Sequence, residues 1–121
     1  MKEFLLLFRN STDPEATRSP EQMQVIMQEW MDWFGSIAAQ NKLVDKGNRL
    51  GKQGKTVKPG NIVTDGPYME IKEMVGGYTM IRAASLEEAT AMAGGCPILK
   101  VGGFVEVRDI MIMEDFKVTT P

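Results

Sequence analysis

Apolar positions change their spacing along the chain, and each change marks an element. From Lys2 to Arg9 the run Phe4-Leu5-Leu6-Leu7-Phe8 is unbroken until Arg9 closes it. A short apolar run without clean alternation predicts a strand buried on both faces, hence a central one. Asn10 to Arg18 is polar, contains Asp13-Pro14 and reads as a loop. Ser19 then fits a helix N-cap, Pro20 the first helical position, and Gln22 stands three residues after Ser19, as a capping box requires. Met23, Ile26, Met27, Trp30, Phe34, Ile37 and Ala38 follow a 3.6-residue period. Gln24, Gln28, Glu29 and Asp32 fall largely off that stripe, and the helix is expected to run to about Gln40 and stop near Asn41.

Glycines punctuate the next stretch, from Leu43 to Val63, at Gly47, Gly51, Gly54 and Gly60, with Pro59 beside the last. A short strand near Asn48-Arg49-Leu50, a turn and a second short strand or arm are expected there, then a tight turn over Thr64-Asp65-Gly66-Pro67-Tyr68. Gly76-Gly77 opens a strong strand from Tyr78 to Ala83. Ser85-Leu86-Glu87-Glu88 reads as a second capping box, starting a short helix through about Ala93. Gly94-Gly95 ends it and Pro97 prevents its resumption. A last strand runs from Phe104 to about Met113, with Val105, Val107 and Met111 on one side and Phe104, Glu106, Arg108, Ile110 and Ile112 on the other.

The order is β-α-β(β)-β-α-β. It predicts an α+β fold, a ferredoxin-like βαββαβ arrangement with two helices on one face of an antiparallel sheet. Residues 1–121 are expected to form a single domain. Two helices cover one face only, and a largely apolar sheet face left in water is an interaction patch. A homodimer is therefore expected to bury it, with its charged members near a cavity.

Composition narrows the partners. The net charge is −2, from 14 basic and 16 acidic residues. No basic stripe supports binding to nucleic acid or to an anionic membrane, and the N-terminal apolar run is too short to span a membrane or serve as a signal core. The lone cysteine, Cys96, cannot form an internal disulfide, which together with the missing leader predicts a cytoplasmic protein. The chain has no histidine, which removes the commonest neutral-pH base and the commonest zinc ligand. No metal site is expected. The paired glycines lack the strand and helix context of a phosphate loop, and no cofactor is expected either.

Asp65-Gly66-Pro67-Tyr68, Glu70, Lys72-Glu73, Gly76-Gly77-Tyr78, Cys96-Pro97 and Glu106-Val107-Arg108 together resemble the YCII-related family, in particular its branch with an Asp-Gly-Pro-Phe motif. The resemblance covers nearly the whole chain. It implies a ferredoxin-like α+β fold, dimers and a cleft near the dimer interface, in a family some of whose members are suspected enzymes with a proposed His–Asp pair. This chain departs from the pattern at Tyr68, which stands for Phe, and at Asp109, where Pro is common. Lacking histidine, it cannot use a His–Asp pair.

Asp65 either accepts backbone N–H groups in an Asx-type turn or directs a carboxylate into a cleft. Held by several N–H groups, it would be a poor base. Glu106 and Arg108 share one face of a strand. They form either a structural ion pair at a dimer interface or a site in which Arg108 grips a ligand carboxylate and Glu106 moves a proton. Arg49 is a partner for Asp65 or Glu106, or simply solvated. Tyr68 and Tyr78 either line a pocket or pack with their hydroxyls at the surface. Glu70, Lys72 and Glu73 read as a solvated charged run, in which Glu70 matches the family motif. Cys96 follows a helix end and reads as a packed thiol, and the ten methionines as core or interface filler.

Two functions follow from these alternatives. In one, a small dimeric cleft protein binds a small anionic organic ligand, with proton transfer through Asp65 and Glu106 and with Arg49, Tyr68, Glu70, Tyr78 and Arg108 around the ligand. In the other, the same fold is a non-catalytic binding or accessory module whose motif residues are structural. A third class, a regulatory partner of another protein, has no sequence feature of its own.

Overall fold

The axis of the fold is β1 (Lys2–Arg9), which pairs antiparallel with a strand on each side. The computed structural model describes residues 1–10, 18–65 and 74–113. In chain order the elements are β1, α1 (Pro20–Ala39), β2 (Leu43–Asp45), β3 (Lys55–Lys58), β4 (Ile62–Asp65), β5 (Val75–Ala83), α2 (Leu86–Ala93), a 3-10 helix (Pro97–Val101) and β6 (Phe104–Asp109). The main sheet runs β2-β5-β1-β6, antiparallel throughout, and β3-β4 form a separate hairpin. Without the hairpin this is the strand order of a split βαβ, consistent with a ferredoxin-like α+β fold. The turn expected at Gly66-Pro67-Tyr68 lies outside the described residues.

Strand β1 is central, as its apolar run predicts, but its burial alternates. Phe4, Leu6 and Phe8 are buried, while Leu5 and Leu7 are half-buried. Ile81 and Ala83 of β5, and Val105 and Val107 of β6, pack on the Phe4 side, where both helices lie.

Helix α1 begins with the complete capping box: Ser19 Oγ accepts from the Gln22 N–H at 3.1 Å, and the Ser19 N–H donates to Gln22 Oε1 at 2.9 Å. Its buried face differs from the predicted stripe. Trp33, outside that stripe, and Ile37 are buried and Trp30 and Phe34 partly so, whereas Met23 and Met27 of the stripe are 40% and 57% exposed. Trp33 sets this rotation. Its indole N–H donates to the Met92 carbonyl at 3.0 Å, and its ring meets Phe8 and Trp30 edge-on with centroids 6.0 and 5.7 Å apart. Asn41, at φ +59°, closes the helix in the left-handed region that Asn tolerates.

Helix α2 shows half of its predicted capping box. Ser85 Oγ accepts from the Glu88 N–H at 3.1 Å, but the Glu88 carboxylate turns to Lys42 Nζ at 2.7 Å and to the Ala84 N–H at 3.4 Å. The Lys42 bond, aided by the Ala84 N–H, holds the Glu88 carboxyl below the usual carboxylate range. Beyond α2, Cys96 is buried, and that burial pushes its thiol up to about 12, so the packed, inert thiol is what the fold contains.

Two predicted strands are displaced. The second is Leu43–Asp45; Asn48-Arg49-Leu50 contributes only an isolated bridge, Arg49 to Gly77, with backbone bonds on either side of it. The last strand stops at Asp109, and Met111 is 56% exposed rather than a core residue. A single bond from the Ile110 N–H to the Glu3 carbonyl carries the pairing one step further.

Gly47 lets the chain pass against β5. It sits at φ +75°, and a Cβ there would collide with the Tyr78 carbonyl oxygen. Gly60, in the β3–β4 turn at φ +84°, has open space around it. Gly60→Ala should therefore cost only the left-handed strain, about 1 kcal/mol. Gly47→Ala adds a backbone clash and should cost about 3 kcal/mol or more. Urea midpoints of the two variants, at unchanged m, check the difference.

Candidate functional site

Pleating puts the odd-numbered residues of β1 on the sheet face away from the helices. The register then builds rows across that face. Leu7 lies between Tyr78 and Glu106, Leu5 between Met80 and Arg108, Arg9 beside Phe104, and Glu3 beside Arg82. The floor is thus Leu5, Leu7, Tyr78 and Met80, all half-buried, with a charged group along the β6 edge.

That group includes the ion cluster of Arg9, Glu106 and Arg108. Arg9 Nη2 donates to Glu106 Oε1 at 2.9 Å and Arg108 Nη1 to Glu106 Oε2 at 3.2 Å, so each carboxylate oxygen has its own guanidinium. Exposure grades across it, at 20% for the Arg9 side chain, 34% for Glu106 and 65% for Arg108. The bond from Arg9, and after it the bond from Arg108, holds the Glu106 carboxyl below the usual carboxylate range. Glu106 is an anion at neutral pH, with no proton to donate and little tendency to take one.

The predicted site residues separate. Glu106 and Arg108 share a face and touch, as their spacing implies, and Tyr78 joins them from β5. The Tyr78 hydroxyl accepts from Asn48 Nδ2 at 3.4 Å. Arg49 is exposed and bridges Gly77, which is paired with Phe8, so its register sets it toward the helix side of the sheet. Asp65 ends β4 in the hairpin, 73% exposed, where it pairs with Lys55 Nζ at 2.6 Å. Asp65 and Glu106 therefore belong to different sheets. Tyr68 and Glu70, with Lys72 and Glu73, lie outside the described residues.

Arg9 is the member that sequence reasoning missed. Its signal is present: a charged residue closes the β1 run, and the βαββαβ order sets the last strand beside the first. A shallow depression of about 540 Å³ on the helix side, lined by Arg18, Glu21, Gln22, Val25, Ile26 and Val101, contains none of the predicted residues. Among the described residues no three His, Cys, Asp or Glu side chains converge as a metal site.

A folded-state pKa depressed below its unfolded value gives Glu106 a stabilising contribution above the ordinary glutamate pKa. That contribution is lost as pH falls through the depressed value. Glu106→Gln removes it. The stability gap between wild type and variant should be constant above about pH 6 and close below about pH 4.3. Urea unfolding at stepped pH checks this, and a gap independent of pH down to full acid unfolding would sink it.

Comparisons with known proteins complete the picture. A family model, the YCII-related domain, matches residues 4–114. Among curated proteins nothing matches. Among solved structures the chain is similar to 5-chloro-2-hydroxyhydroquinone dehydrochlorinase from Burkholderia phenoliruptrix AC1100, in complex with 2,5-dihydroxybenzoquinone. The identity is 18%, over 90% of this chain and 93% of that one, with a TM-score of 0.41. At that level the likeness says nothing about the chemistry of this chain. The family match runs from the first strand past the last, and the chain belongs to the YCII-related domain family.

Proposed function

We propose that the chain forms a homodimer through its helix-free sheet face and binds a small anionic organic molecule there, with Arg108 and Arg9 as the anion-holding groups. The observation that carries this is the Arg9–Glu106–Arg108 cluster at the edge of the apolar floor of Leu5, Leu7, Tyr78 and Met80. Two guanidinium groups share one carboxylate, and Arg108 engages it through a single nitrogen while 65% exposed. Arginine presents a fork suited to a second carboxylate. Apolar floors with a few convergent polar groups are the usual make-up of small-molecule sites.

Glu106 then acts as a fixed counter-charge that orients both arginines. Its lowered proton affinity and the absence of histidine favour a binding or accessory role over acid–base catalysis. Asp65, held on the hairpin by its exposed bond to Lys55, has no part in this proposed anion grip. Tyr78 lines the floor, and Arg49 has no part in the anion grip.

Light scattering at micromolar concentration should give the mass of a dimer; a monomer would remove the dimer from this proposal. A thermal-shift series of small carboxylates should raise the melting temperature, because a ligand that prefers the folded state stabilises it. Arg108→Ala should weaken that response by roughly tenfold or more in ligand concentration while retaining the far-ultraviolet spectrum. Asp65→Asn is the control and should respond as wild type, since an exposed ion pair contributes about 1 kcal/mol at most. A wild-type response from Arg108→Ala would overturn the anion site.

A further inference from the structure

Arg82 sits on the same helix-free face as the ion cluster, on β5, opposite Glu3 of β1. Its Nε is shielded from solvent and has no hydrogen-bond partner among the described residues. The backbone N–H of Arg82 is used by the Lys42 carbonyl at 2.7 Å, and Glu3 makes no ion pair with the side chain among the described residues. A guanidinium does not shed its proton, so the charge stays and the N–H stays a donor. Buried polar groups are almost always satisfied, and an exception calls for an explanation, of which a bound ligand is one.

The place of Arg82 in the sheet narrows what a partner for its guanidinium could be. Arg82 on β5 and Arg108 on β6 flank β1, two strand spacings apart and one side-chain repeat along, which sets their Cα atoms about 12 Å from each other. Between them lie the apolar Leu5 and Met80, with the exposed Glu3 beside Arg82. Resting on the anion site proposed above, we infer that Arg82 is a second anchor, and that the ligand is a short dianion with an apolar body over Leu5 and Met80 and one acidic group toward each arginine.

The test uses the full chain and a series of straight-chain monocarboxylates and α,ω-dicarboxylates of matched length, with affinities from titration calorimetry. Dicarboxylates should bind about tenfold tighter than the matched monocarboxylates, the scale of one charge-assisted bond. Arg82→Gln should abolish that advantage and leave monocarboxylate affinity unchanged. If Arg82→Gln does not fold, Arg82→Lys, which keeps the charge and loses the fork, should reduce the advantage. A dicarboxylate advantage that survives these changes overturns the second anchor alone. So does a survival accompanied by a weakened dimer in light scattering, which would assign Arg82 to a partner copy. Binding of neither series overturns the anion site and this inference with it.

Discussion

Strand β1 is the constraint on which the rest depends. It is hydrogen-bonded on both edges, so its backbone is fully used and its side chains must alternate. One set, Phe4, Leu6 and Phe8, goes under the helices and nucleates the core with Trp33, Ile37 and Ile81. The other set, Leu5, Leu7 and Arg9, is thereby delivered to the face that no helix covers among the described residues. The buried core and the exposed chemistry are two consequences of one pleat. A one-residue slip of β1 would exchange them and expose two phenylalanines.

The ion cluster inherits its geometry from that strand. Arg9 and Glu106 come from opposite ends of the sequence, and only the β1–β6 pairing brings them to 2.9 Å. Arg108 follows because two residues along a strand is one step along one face. The electrostatic result is a carboxylate fixed in its charged form between two cations. A group held so firmly is suited to orienting its neighbours. Acid–base work asks for a proton affinity near the operating pH, and here the surrounding charge moves it the other way.

What was legible in the sequence had a local cause. Ser19, Pro20 and Gln22 announce a helix start because capping is satisfied within one turn. Glu106 and Arg108 announce a shared face because strand period is fixed. The illegible parts were decided at a distance. Met23 and Met27 have the right spacing for a core stripe, but Trp33 ties the helix to the Met92 carbonyl and turns those methionines outward. Glu88 completes a capping box on paper, but Lys42 draws its carboxylate away. In each case a tertiary partner overrode a correct local signal.

Charge couples the two halves of the proposed function. Each Arg9–Glu106–Arg108 cluster carries two positive groups against one negative. Two copies meeting face to face bring two such clusters toward each other over a floor of low dielectric, where their repulsion is strengthened. The apolar floor favours that meeting and the clusters oppose it. In the proposed dimer a bound anion relieves that opposition by supplying negative charge beside the guanidinium groups. Dimerisation in turn removes water from around the anion and strengthens its hold on the arginines. In the proposed dimer, ligand and partner copy would then promote each other's binding, and by linkage the effect of each on the other would be the same in size. A face built as charge beside apolar floor behaves differently from one that is apolar throughout. In the proposed dimer the apolar floor supports association by itself, and a bound anion tightens it.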